Sequence, residues 1–331
     1  MKPGVYITCD VECSMGGALA EAALRPVPPA RAMMGRYGEH EFGLPLITDI
    51  LGEHDLAATF FVTPFLDEQG YPGAGEAICR FLLERQQDVQ LHVHPCHAAY
   101  TPGYTGALPD FMAELAADRQ RRLLAEGCQR LQRWTGRPPV AFRAGNLGAS
   151  GQTLELLPAV GIRIDSSYAF PYAGSLCAIP APQPFNGSRW YGTVLELAVS
   201  GFLQRRLPGL RPTRMLDLAA VSFAECREVI RGICAAGADA VLILHSFSLF
   251  KVRNQQYDGG RLNRMVAGRF RRLCAWLAEH REERPVRTCR ELADAIDRQC
   301  YQASAVPPLR ISTPLALLRQ AAQLYNSLYW T

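Results

Sequence analysis

Two hydrophobic periods alternate along the chain. Short apolar, β-branched runs occur at 5–11 (VYITCDV), 57–64 (AATFFVTP), 88–94 (DVQLHVH) and 140–145 (VAFRAG). They recur at 162–168 (IRIDSSY), 193–200 (TVLELAVS), 239–248 (DAVLILHSFS) and 285–289 (PVRTC). Runs of this length and composition predict strands. Between them, apolar residues return every three or four positions over 43–56, 75–87, 110–136, 150–161, 219–236, 261–281 and 290–299. That spacing predicts amphipathic helices. Gly136 stands where the helix over 110–136 should stop, and Ser150-Gly151 where the next should start. Residues 18–40, rich in Pro, Gly and Arg, predict an irregular excursion, and there is no internal repeat.

Strand-then-helix alternation argues an α/β barrel of parallel strands. Barrels of this kind place their chemistry on the loops that follow the strands, and here the polar residues gather at predicted strand ends. We take residues 1–300 as the barrel and 301–331 as a C-terminal tail. The tail's LALLRQAAQLYNSLYW has helical spacing and is expected to dock on the barrel or on a partner. Peripheral contact with a membrane surface is the alternative, which its few basic residues weaken.

Composition narrows the picture. The 331 residues are 48% apolar, enough for a large core without disulfides. The net charge of +4 is spread over helical faces such as GRFRR (268–272), which argues against a nucleic-acid partner. Eleven cysteines, an odd number with no CxxC pair, fit reduced thiols. No secretion signal and no run of 18 apolar residues is evident, so we expect no transmembrane segment and a cytoplasmic protein.

The candidate chemistry sits at five strand ends. Asp10 and Glu12, in TCDVE, are two apart and so face the same side of a strand. His92 and His94, in LHVHP, repeat that spacing. Two imidazoles and one carboxylate form a zinc-type catalytic set with open positions, which leaves Asp10 as a base. Arg143 ends an apolar strand and needs a carboxylate partner, either Asp10 or Asp165. His245 follows four apolar residues in LILHS and suits a general acid.

In order, TCDVE, LHVHP, FRAGN, IDSSY and LILHS resemble the five motifs of the polysaccharide deacetylases with the NodB-homology domain, carbohydrate esterase family 4. The resemblance spans about residues 4 to 250. It implies a distorted (β/α) barrel of about seven strands, related to the TIM barrel. It also implies removal of N-acetyl, sometimes O-acetyl, groups from amino-sugar glycans. The cofactor would be one divalent metal, zinc first, with cobalt, nickel or manganese as substitutes. By this match Asp10 is the base, and Glu12, His92 and His94 hold the metal. The common first motif places the metal carboxylate directly after the base; here Glu12 comes two residues on, as in a DxE branch. The histidines are two apart where the common motif has four, so His97 offers a further ligand. Arg143 would orient the base, and the N–H near Asn146 would face the oxyanion. Asp165 would support the arginine or the catalytic histidine, and His245 would be the acid. Tyr168, Phe170, Tyr172, Trp190 and Tyr191 are placed to stack on sugar rings.

Three other readings compete. A hydrolase of cyclic amides on the same scaffold would use the same residues. An amidohydrolase-type barrel carries HxH on its first strand, where this chain carries DxE. A glycan-binding descendant without activity should have lost a catalytic residue, and here every role is filled.

Overall fold

The apolar runs become strands that are buried along their length, as a sheet covered on both faces requires. The computed structural model describes residues 1–205 and 212–328. The strands are β1 (Val5–Val11), β2 (Thr59–Val62), β3 (Asp88–Val93), β4 (Ala141–Ala144) and β5 (Ile164–Asp165). They continue with β6 (Asn186–Tyr191), β7 (Val194–Ala198), β8 (Ala240–His245) and β9 (Ala305–Val306). They form one curled sheet in the order β8-β1-β2-β3-β4-β5-β7-β6-β9. The first seven of that order are parallel, as the alternation predicted, and β6 and β9 extend the sheet antiparallel. Ser200 and Leu216–Leu218 hydrogen-bond to the other edge of β8 and draw the curl together.

The helices are α1 (Leu44–Gly52), α2 (Ala74–Glu84), α3 (Pro95–Ala99), α4 (Ala117–Thr135), α5 (Gly151–Leu156), α6 (Phe223–Ala235), α7 (Arg264–Glu279), α8 (Cys289–Asp297) and α9 (Thr313–Leu328). Except for α8, whose Cys289, Leu292 and Ala293 join the second core, their apolar stripes pack on the outside of the sheet in one large core. Tyr6, Phe61, Leu195, Leu197, Val241 and Ile243 fill a second core. Helix α4 stops at Gly136, which adopts φ 73°, a left-handed conformation that costs glycine little.

Three expectations change. Helix α4 begins at Ala117 rather than 110, because the Glu114 carboxylate accepts the backbone N–H groups of Asp110 and Phe111 and folds them into a separate turn. Residues 285–289 make one isolated bridge to Val5, since Thr288 is committed to capping α8 through the Glu291 N–H. Between β5 and β7 the chain adds a strand that the apolar runs did not mark, β6.

Ahead of α9, Leu309–Arg310 pairs with Gly201–Leu203. Arg319 of α9, fully buried, ion-pairs with Glu225 and donates to Gln204 Oε1 at 2.8 Å. The helix turns Leu317, Leu318, Leu324, Tyr325 and Leu328 outward; the last three residues of the predicted tail lie outside the described residues. No described helix is long and apolar enough to cross a membrane. All eleven cysteines are free thiols.

Candidate active site

Sheet register assembles the site. Asp10 on β1 is the register partner of His245 on β8, and His92 on β3 is the partner of Arg143 on β4. Parallel partners project to the same side, so pairing alone makes two pairs of candidate residues, Asp10 with His245 and His92 with Arg143. A cavity of about 210 Å³ at these strand ends is lined by Asp10, Glu12, His92, His94, Asn146 and His245, among others.

Arg143 and Asp10 form a buried ion pair, Nη1 to Oδ1 at 2.7 Å. The guanidinium is held on its other edges as well. Nε donates to the Ser166 carbonyl at 2.8 Å, Nη2 donates to Ser166 Oγ at 2.9 Å, and the plane lies 4.3 Å over the Phe61 ring. A cation with its donors occupied in this way fixes one carboxylate oxygen of Asp10 in place.

Glu12 Oε2 meets Nε2 of His92 at 3.1 Å and also meets Nε2 of His94. The far side of each ring is anchored. His92 Nδ1 lies 2.9 Å from the Arg143 carbonyl, which can only accept, so the proton sits on Nδ1 and Nε2 faces the cavity. His94 Nδ1 lies 2.8 Å from Asp110 Oδ1. Two Nε2 atoms and a carboxylate oxygen converging on one point, each imidazole bonded behind, fit a divalent metal. Burial alone would raise the Glu12 carboxyl, but the two imidazoles hold it well below its usual range. Burial would lower His94, yet Glu12 and Asp110 lift it well above the usual imidazole value.

Gly145 allows this packing. A Cβ there would lie 2.4 Å from His94 Cγ, so the G of FRAGN is a matter of space. Asn146 and Leu147 follow with φ of 53° and 58°, a strained pair at the cavity wall.

Several expectations need correction. Asp165 does not partner Arg143. Its carboxylate accepts the N–H and hydroxyl of Ser167 and faces Glu196, and burial raises both carboxyls, Glu196 well above its usual range with Asp165 adding to the rise. Asp10 takes the arginine because β1 ends against it. Tyr168 is core, stacked on Phe185 with ring centroids 4.4 Å apart, and Phe170 is buried beside Gly201. Trp190 is 41% exposed on β6, two strands beyond β5, and is not among the residues lining the cavity. Of the aromatic residues proposed to stack on sugar, Tyr172 lines it. The Asn146 side chain donates to Asp110 Oδ2 at 2.5 Å. His97 stacks behind His94 at 4.7 Å, with Thr63 Oγ1 3.5 Å from its Nδ1. Burial and His94 push its pKa down to about 3, and it clusters with His94 and Cys96 rather than with Glu12.

Sequence reasoning missed Asp110 and Asp217. Asp110 falls at the start of the predicted helix over 110–136; Asp217 lines the cavity with His245 from the segment that bridges to Ile243. Neither sits at the end of a predicted strand, so no pattern marked them.

No family model matches the sequence, and no curated protein matches it. Solved structures do. A protein from Mycobacterium smegmatis classed as a polysaccharide deacetylase superposes with a TM-score of 0.53 at 19% identity, covering 93% of this chain and 94% of that one. A family 4 carbohydrate esterase from Streptomyces lividans gives 0.44 at 11% identity, covering 86% and 91%. A family 4 pseudoenzyme from Bacillus anthracis gives 0.44 at 12%, covering 88% and 65%. With its seven parallel strands and the site at their carboxyl ends, the chain has the polysaccharide deacetylase fold.

Proposed function

We propose that the protein is a metal-dependent hydrolase that removes an N-acetyl group from an amino-sugar-containing glycan or glycan precursor. The observation that carries this reading is a single cavity that gathers an arginine-held carboxylate, a histidine in register with it and a Glu-His-His convergence. Glu12, His92 and His94 would hold the ion, zinc first, which when bound supplies Lewis acidity to a carbonyl and acidifies water.

The chain's own groups supply the rest. Asp10, held in place by Arg143, accepts a proton from the attacking water. The backbone N–H groups at Asn146 and Leu147 are the candidate donors to the developing oxyanion. His245, as general acid, delivers a proton to the departing amine, which could not leave as an anion near neutral pH. Tyr172, Leu176 and Met215 close the wall against which a sugar would lie. In this reading residues 1–300 carry the reaction, and α9 of the tail braces the barrel through Arg319. A cytoplasmic setting would favour a precursor, such as a nucleotide-sugar or lipid-linked glycan, over a finished polymer.

The test is acetate release from N-acetylated sugars, nucleotide-sugars and lipid-linked glycans, with metal-stripped protein and after zinc or cobalt is restored. Release that returns with metal and vanishes in His92→Ala and Asp10→Asn supports the reading. The small cavity, about 210 Å³, also suits a cyclic amide. Metal binding with ring opening of such amides, and no acetate from any glycan, would favour that reaction.

A further inference from the structure

The geometry points to Asp110 as the residue that positions His94 for the metal, and so to the 101–111 segment as part of the metal site. The inference rests on the reading of Glu12, His92 and His94 as ligands. An imidazole that binds metal through one nitrogen must keep its proton on the other, and the group that accepts this proton sets the ring's angle. For His92 that group is the backbone carbonyl of Arg143, fixed by the sheet. For His94 it is a side chain, Asp110 Oδ1 at 2.8 Å from Nδ1, which leaves Nε2 turned to Glu12.

Asp110 is itself braced by three other residues. Asn146 Nδ2 donates to Oδ2 at 2.5 Å, and Cys96 Sγ donates to Oδ1 at 2.8 Å. Its own N–H donates to Glu114 at 3.1 Å. Through Asn146, the carboxylate also ties the strained turn at the cavity wall to His94. Asp110 therefore joins two walls of the site, although it belongs to neither histidine strand nor any of the five motifs. A carboxylate so placed acts through His94, as a positioning residue.

The experiment measures zinc affinity by competition with a chromophoric chelator, for full-length metal-stripped wild type, Asp110→Ala, Asp110→Asn and Glu12→Gln. Asp110→Ala is expected to bind zinc about 10- to 100-fold more weakly. Asp110→Asn, which keeps an acceptor oxygen but not the charge, should lose about 3-fold or more. Glu12→Gln should lose the most, as a ligand. A second readout is the absorption of the cobalt-loaded proteins, whose ligand-field bands should keep the wild-type pattern in Asp110→Asn. Wild-type affinity in both Asp110 variants overturns the inference; if Asp110→Ala does not fold, the near-isosteric Asn variant decides it alone. A thiolate-to-cobalt charge-transfer band that disappears in Cys96→Ser also overturns it, because His94 would then bind metal with Cys96 and His97 rather than with Glu12 and His92. Zinc binding without acetate release leaves the inference standing and removes the deacetylase reading. No zinc binding by wild type removes both.

Discussion

Replacing Arg143 by alanine tests how the base is held. The guanidinium and Asp10 are both buried and meet at 2.7 Å. With about 4 Å between charge centres and an effective dielectric constant of about 20, their attraction is about 4 kcal/mol. Removing the arginine leaves a buried carboxylate without its cation and leaves the Ser166 carbonyl and hydroxyl without their donors. Breaking a buried pair from one side costs about 3–5 kcal/mol, and Arg143→Ala should fall in that range. Asp10→Asn in the same background removes the stranded charge. The double variant should then be more stable than the sum of the single losses by about 2–3 kcal/mol. The assay is urea unfolding followed by circular dichroism, with chelator present so that metal binding adds nothing to the folded state. Single losses that add within about 0.5 kcal/mol would refute the reasoning, since the two residues would not be energetically coupled.

Three further outcomes are expected. Gly145→Ala should drive a methyl into the His94 ring, 2.4 Å from Cγ, and weaken zinc binding by at least about 10-fold, read by chelator competition; unchanged affinity would mean the wall yields freely. Burial and Asp165 raise the Glu196 carboxyl well above its usual range, so the folded protein keeps a proton there that the unfolded chain releases. Stability is then fully present below the ordinary carboxylate pKa and falls as pH climbs toward the raised value, by up to about 1.4 kcal/mol per unit. Glu196→Gln should flatten that slope in thermal melts across pH, and an unaltered slope would assign it elsewhere. Arg319→Ala should strand Glu225 in the core and free α9, releasing a C-terminal fragment early in limited proteolysis; protease resistance equal to wild type would show that the ion pair does not hold the tail.

The residues themselves determined the strand and helix order, the parallel sheet and the ends of the strands where chemistry collects, because hydrophobic period is a local property. They also determined that Asp10 and Glu12 share a face, as do His92 and His94, since side chains alternate along a strand. Only the tertiary structure decided which carboxylate Arg143 would take. Asp10 and Asp165 are equivalent as charges in a sequence, and register sets them apart: β1 ends against the guanidinium while Asp165 turns to Ser167 and Glu196. Tyr168 and Phe170 offer aromatic faces that a sequence cannot assign to substrate or to core, and the path of the chain after β5 returns both to the core. Asp110 lies 16 residues from His94 in what reads as helix, and becomes its partner because Glu114 ends the turn early and folds the segment back over β3. Contacts of that kind depend on where loops close in space, which no spacing of residues along the chain encodes.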